Sequence, residues 1–230
     1  SELRSFFSFI YDGMKQLVGT PFELHRLALH RAEQYMLNRI EQDGTFYSYF
    51  SSTFLMIFAL MALGYSKKHP VIVRAVQGLK SIKTTIDGHT HIQYTTATVW
   101  NTALLSYSLQ EAGVPSASAA IQRANQYLLS RQHYLYGDWA VHNPYQIPGG
   151  WGFSNINTMN PDIDDTTAAL RALRKEALNN RSFWDRGMKW LLSMQNDDGG
   201  WGSFEKNVNK SLLSWLPIEG GEKMLLDPST

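Results

Sequence analysis

Three carboxylates fall within four residues in Asp162-Ile163-Asp164-Asp165, and Thr166-Thr167 and an apolar helical segment follow. Asp and Thr are preferred N-caps, and acidic first-turn residues suit the helix dipole, so one reading is purely structural. One cap needs only one Asp, however, and three crowded acids repel each other. Where like carboxylates share a site, one pKa rises and that group keeps its proton. A helix N-terminus works in the opposite sense and stabilises the conjugate base. The cluster can thus offer a carboxyl that is protonated at rest and strongly acidic when a proton is called for. Few substrates need such an acid more than an alkene, an extremely weak base that becomes a carbocation on protonation. Aromatic faces stabilise a cation without attacking it, each by about 0.5 to 2 kcal/mol. The chain carries 11 Phe, 11 Tyr and 7 Trp, and only 18% of its residues are charged, against about 25% in an average domain.

The same inventory excludes other chemistries. With 43% hydrophobic residues in 230, the chain buries a real core and is not disordered. A net charge of +1 without blocks of like sign argues against a nucleic-acid partner. No cysteine is present, which removes disulfides, thiolate nucleophiles and Cys-ligated zinc or iron. His25, His30, His69, His89, His91, His133 and His142 have no acidic partner at metal-ligand spacing and read as surface or core histidines. The longest apolar run, Phe54 to Leu63, has ten residues, where spanning a bilayer takes about 20. The N-terminal Ser-Glu-Leu-Arg stretch has no secretory-signal pattern.

The elements that must position the acids form a repeat. A basic and a small residue, an aromatic or aliphatic pair, Gln, then Gly-x-aromatic recur as Arg186-Gly187, Trp190-Leu191, Gln195, Gly199 and Trp201. A second copy reads Arg123-Ala124, Tyr127-Leu128, Gln132, Gly137 and Trp139; a third, Arg31-Ala32, Tyr35-Met36, Ile40, Gly44 and Phe46. A fourth trace, from Arg74-Ala75 to Gly88, lacks both Gln and aromatic. Each copy is helical up to the Gln and then stops at a turn such as Asn196-Asp197-Asp198-Gly199. Between the copies lie apolar helical segments at Thr53 to Tyr65, Thr98 to Gly113 and Thr166 to Leu178. The first is apolar on every face and is expected to be shielded all round. Six to eight helices of 12 to 18 residues in hairpin pairs, with hardly any strand, make an all-α toroid or solenoid. In this frame Gln132 and Gln195 are expected to bond orphan carbonyls at their own helix ends, and Trp139 and Trp201 to stack on them.

The D-I-D-D-T-T segment, the P-G-G-W-G-F lead-in at 148–153 and the Gln/Trp repeat together resemble the squalene-hopene cyclase family of class II triterpene cyclases. The resemblance runs from about Leu27 to Thr230 and matches a central third or more of a family member. It implies that the chain is a piece of a longer enzyme, with residues 1–26 connecting and 27–230 forming part of an (α/α) barrel of paired-helix repeats. It further implies Asp164 as the proton donor, with Asp162 and Asp165 as flanking carboxylates. Trp100, Phe153 and Phe204 would line the substrate cavity, and Asp227 would stand in a loop beside the donor. No metal or organic cofactor is implied. The implied partners are a hydrophobic polyprenyl substrate and, for the full-length enzyme, the cytoplasmic face of the cell membrane as a peripheral, monotopic contact; a homodimer stays open.

Departures from the family pattern narrow the expectation. Where hopene-forming members read G-S-W-G-G-I-Q-P-P, this chain has Gly44-Thr45-Phe46-Tyr47-Ser48-Tyr49-Phe50-Ser51-Ser52, so Phe50 replaces a Gln that helps to place the terminating water. The Y-S-Y stretch, F-S-N-I-N-T and F-E-K-N-V-N look most similar to Bacillus-type cyclases that take tetraprenyl-β-curcumene and also squalene. Asn101 stands where an Asp is usual. A His beyond the D-P-S-T segment, which in the family bonds the donor Asp, lies past Thr230, and the 230-residue chain is expected to be inactive alone. The alternatives are a class II diterpene cyclase acting on a prenyl diphosphate and a non-catalytic helical toroid that binds a partner through its aromatic loops.

Overall fold

The computed structural model describes residues 21–208 together with Asp227 and Ser229. The expectations for residues 1–20 lie outside the described residues, and the boundary at 26/27 falls inside the first helix. The elements are helix α1 (Pro21–Leu37), α2 (Phe50–Ala62), α3 (Pro70–Ser81), a hairpin of β1 (Lys83–Ile86) and β2 (His89–Ile92), α4 (Thr98–Glu111), α5 (Ala119–Leu129), the single turn α6 (Trp139–His142), α7 (Ile163–Leu173), a 3₁₀ turn at Glu176–Leu178, and α8 (Ser182–Ser193).

Helices pack as the repeat requires: α2 on α3, α4 on α5 and α7, and α7 on α8. The contact of α4 with α7 is the most extensive, because α7 presents Ala168, Ala169 and Ala172, whose small side chains let α4 come close with its Val99 and Ala103. Trp151, Leu170, Leu173 and Phe183 fill the remainder of this core. Buried Gln110 of α4 donates to the carbonyl of Ala172 at 2.9 Å, so a polar group is spent on the same seam. A second core, Met56, Ile57, Leu60, Ile72 and Ala75, joins α2 to α3.

Two expectations change. The segment around Phe54–Leu63 is not shielded all round: Thr53, Met56, Ile57 and Leu60 are buried, whereas Phe54, Leu55 and Phe58 on the opposite face are exposed. Along that open face the Phe50 ring stacks on Phe54, and Phe54 meets Phe58 edge-on. One hairpin stands among the described residues, within the degenerate fourth repeat. Asp87-Gly88, both at positive φ, form a two-residue turn between β-branched runs, the strongest short-range hairpin signal.

Three turns share one closing backbone hydrogen bond, and two of them share a Gln and an indole bond as well. Glu41 donates its N–H to Thr45 O (2.8 Å), His133 to Gly150 O (2.9 Å) and Asn196 to Gly200 O (2.8 Å). Gln132 Nε2 donates to Gly149 O and Gln195 Nε2 to Gly199 O. The helix-end carbonyls are reached instead by indoles, Trp151 Nε1 on Leu128 O (2.7 Å) and Trp201 Nε1 on Leu191 O (2.9 Å). This corrects two expectations: Gln132 reaches past its own helix to Gly149 and to Phe183 O at the start of α8, and Trp151 rather than Trp139 closes α5. The stretch from His133 to Pro148 is a long insertion in that turn. Trp139 is buried within it, edge-on to Trp190.

Candidate active site

The second turn runs straight into the acid motif. Trp151 bridges to Asp162, and Trp151 N–H donates to Thr166 Oγ1 at 2.9 Å. The first turn repeats this with Phe46 bridged to Tyr49 and Phe46 N–H donating to Thr53 Oγ1 at 2.8 Å. Asp162 and Tyr49 therefore occupy equivalent N-cap positions, of α7 and α2 respectively.

At α7 the three carboxylates divide their tasks. Asp162 is the cap: its Oδ1 accepts the N–H of Asp165 at 2.8 Å. Asp162 and Asp165 are buried, and Asp164 between them is exposed. Burial raises the pKa of Asp165, the hydrogen bond with Asp162 raises it further, and the charges of Asp162 and Asp164 add to it. Asp162 is also raised, mainly by burial, against the hydrogen bonds from Asp165 that favour its charge. The proximity of the two carboxyls raises Asp165 and lowers Asp162 against the burial that raises both, so Asp165 is the one pushed toward its protonated form.

Asp164 faces a cavity of about 200 Å³ lined also by Tyr49, Trp100, Phe153, Asp162, Asp165, Ser203 and Phe204. The ring centroids of Trp100 and Phe153 are 6.3 Å apart. That proximity follows from the loop before the acids, which lies over the start of α4: Asn155 N–H donates to Thr98 Oγ1 at 3.1 Å, and Thr96 Oγ1 donates to Asn155 Oδ1 at 2.9 Å. A second cavity, about 210 Å³, shares Trp100 and Asp164 and continues between α4 and α7 past Leu104, Tyr107, Thr167 and Arg171. A larger groove of about 500 Å³ along α1 is lined by Arg26, Leu27, His30 and Glu33, and it contains none of the acids.

Phe204 enters the cavity because Asp227 shapes its loop. The Asp227 carboxylate accepts three successive backbone N–H groups, from Ser203 (2.8 Å), Phe204 (2.5 Å) and Glu205 (2.7 Å). Ser203 in turn accepts the N–H of Ile163 through its carbonyl at 3.0 Å, which ties this loop to α7. Asp227 thus acts on the loop that abuts the acid motif, while the structure places Gln132, Gln195, Trp139 and Trp201 in the repeat turns, outside the cavity lining.

Two lining residues were not singled out from the sequence. Tyr49 is half-buried, and burial together with the charges of Asp162 and Asp165 pushes its phenol up to about 12. Its signal was the repeat itself, which sets it in register with Asp162. Ser203 had no signal, since its place depends on Asp227. Among the described residues no group of three or more His, Cys, Asp or Glu is arranged to hold a metal ion. His133 is buried and neutral, its pKa lowered to about 4 by burial, and His69 caps α3 through Nδ1.

An acid triad at a helix start, beside a small cavity walled by aromatic rings, on paired helices with indole-closed turns, defines the class: a helical-repeat protein with a carboxylate cluster set among aromatic rings. Residues 96–230 match the squalene-hopene cyclase C-terminal domain, and residues 1–88 match the squalene-hopene cyclase N-terminal domain. The chain belongs to this family, and its helices are part of the (α/α) toroid of that fold. It is 50% identical to the sporulenol synthase of Bacillus subtilis over 216 residues, 94% of this chain and 34% of that protein. It is 31% identical to the squalene–hopene cyclase of Alicyclobacillus acidocaldarius, over 90% of this chain and 33% of that protein. A dammaradiene synthase of the fern Dryopteris crassirhizoma is 32% identical over 96% of the chain. The chain spans about a third of the length of these relatives.

Proposed function

We propose that the chain carries the proton-donating part of a class II terpene cyclase. In this reading Asp164 protonates the terminal trisubstituted alkene of a polyprenyl hydrocarbon, squalene or tetraprenyl-β-curcumene, and ring closure follows through successive carbocations. The observation that carries the reading is the placement of Asp164: exposed to the aromatic cavity and backed by two buried carboxyls, Asp162 and Asp165, whose pKa values burial raises. When the Asp164 proton leaves, its carboxylate sits in the first turn of α7, where the helix dipole stabilises the new charge. The developing cation lies among Trp100, Phe153 and Phe204, whose faces stabilise it without capturing it. Deprotonation or water capture ends the cascade, and Phe50 at the usual Gln position favours an ending other than hopene formation. The Bacillus-type look of the Y-S-Y, F-S-N-I-N-T and F-E-K-N-V-N stretches, with the 50% identity to a Bacillus subtilis protein, supports tetraprenyl-β-curcumene as the natural substrate.

No helix among the described residues is long and apolar enough to cross a membrane. We take peripheral contact with the cytoplasmic membrane face as part of the same reading, because the substrate is dissolved in lipid and α1 exposes Leu24, Leu27 and Leu29. The test is incubation of the longest natural polypeptide that carries this chain with squalene, tetraprenyl-β-curcumene and geranylgeranyl diphosphate, followed by mass spectrometry of the products. Cyclic product from a hydrocarbon is expected; product from the diphosphate alone would replace this reading with a diterpene cyclase.

A further inference from the structure

The residue after the Gln position is polar and buried in all three turns: Glu41 is 2% exposed, His133 3% and Asn196 4%. The turn itself uses only the backbone N–H of each, so no side chain of this kind is needed to make it. Each side chain instead leaves the turn and holds a loop. Glu41 Oε1 accepts the N–H of Thr158 at 3.0 Å, and its Oε2 accepts the Thr158 hydroxyl at 2.8 Å. His133 Nε2 donates to the carbonyl of Asn157 at 2.8 Å. Asn196 Oδ1 accepts the N–H of Asn207 at 2.6 Å, and its Nδ2 donates to Ser229 Oγ at 2.7 Å.

These grips converge on the site from two sides. Glu41 and His133 hold consecutive residues of one loop, which begins at Phe153 beside Trp100 and ends at Asp162. Asn196 holds the far end of the loop that carries Phe204, whose near end Asp227 secures. A buried carboxylate is expensive unless fully hydrogen-bonded. Burial and the charge of Asp43 push the Glu41 carboxyl up, and the two bonds from Thr158 hold it down. We propose that Glu41, His133 and Asn196 are positioning residues, one from each repeat turn, that fix Phe153, the acid motif and Phe204 around Asp164. Glu41 does so from a part of the chain that matches the N-terminal family domain, across to a loop in the C-terminal one.

The activity arm of the test rests on the cyclase reading; a titration arm does not. In the longest natural polypeptide carrying this chain, Glu41→Ala should lower kcat about tenfold or more, as a misplaced catalytic group does, with KM within about twofold. Glu41→Gln should restore most of it, since Gln keeps one acceptor and the Thr158 hydroxyl can turn to accept from the amide. Carbon-13 NMR titration of the Asp162–Asp165 pair needs no turnover: Glu41→Ala should move it toward the ordinary carboxylate range by about one unit or more. Thr158→Val, a milder change, should move kcat and titration in the same directions by less. A lower Tm with wild-type kcat and wild-type titration would make the role merely structural and overturn the proposal. Should Glu41→Ala not fold, unchanged kcat and titration in Thr158→Val overturn it equally. A wild type that cyclises nothing would sink the cyclase reading, and the titration alone would then decide this one.

Discussion

Asp164 and its neighbours differ only in what surrounds them, and that difference assigns their roles. Asp164→Asn should reduce cyclisation by about a thousandfold or more, within the range for loss of a general acid, with the Tm within a few degrees of wild type. Asp165→Asn should act through stability as well. Its folded pKa is raised, so the native state binds a proton that the unfolded state releases above about pH 4, and stability falls as pH rises from there. The variant removes that loss: its Tm should hold between pH 5 and 8 while that of the parent declines, and its activity should drop. A parallel decline in both proteins would contradict the raised Asp165 pKa. The acids were legible as a cluster because three carboxylates exceed what one cap needs. Their division into a cap, a proton holder and a cavity-facing acid was not, since burial is set by the loops on either side.

At the level of elements, the repeat turn is the unit that builds the site. Trp151→Phe removes the indole donor from Leu128 O and should cost about 1 kcal/mol, a Tm drop of about 2 to 4 °C for a domain of this size. Trp139→Phe should cost less, because the Trp139 indole nitrogen has no hydrogen-bond partner among the described residues. Thermal melts of the pair test whether Trp151 took over the closing role. Asp227→Ala frees three backbone N–H groups and should lower kcat through Phe204; wild-type kcat would contradict that link. Helix positions were readable from spacing, as α4 begins at Thr98 as expected. The owner of each Trp was not, because the long insertion separates Gln132 from its structural partner Trp151. The hairpin escaped because Gly88 was counted as a repeat remnant rather than as half of Asp87-Gly88.

For the molecule as a whole, the all-α toroid was readable from the period, whereas the open row of Phe50, Phe54 and Phe58 rings was not. Apolarity on every face predicts burial on every face, and a helix can meet that demand only with neighbours on all sides. The chain covers a third of its relatives' length, and on the cyclase reading it should give no product alone, while the longest natural polypeptide carrying it should. On the cyclase reading, a proton from Asp164 enters the product. Reaction of that polypeptide with a polyprenyl hydrocarbon in heavy water reads this directly, because the carboxyl exchanges with solvent and the alkene does not. One deuterium is expected in each cyclic product, on the ring methylene beside the gem-dimethyl carbon, where the terminal alkene's CH carbon took up the proton, and no labelled product is expected from the Asp164→Asn variant. Cyclic product without that deuterium, or labelled product at the wild-type rate from the variant, would contradict it.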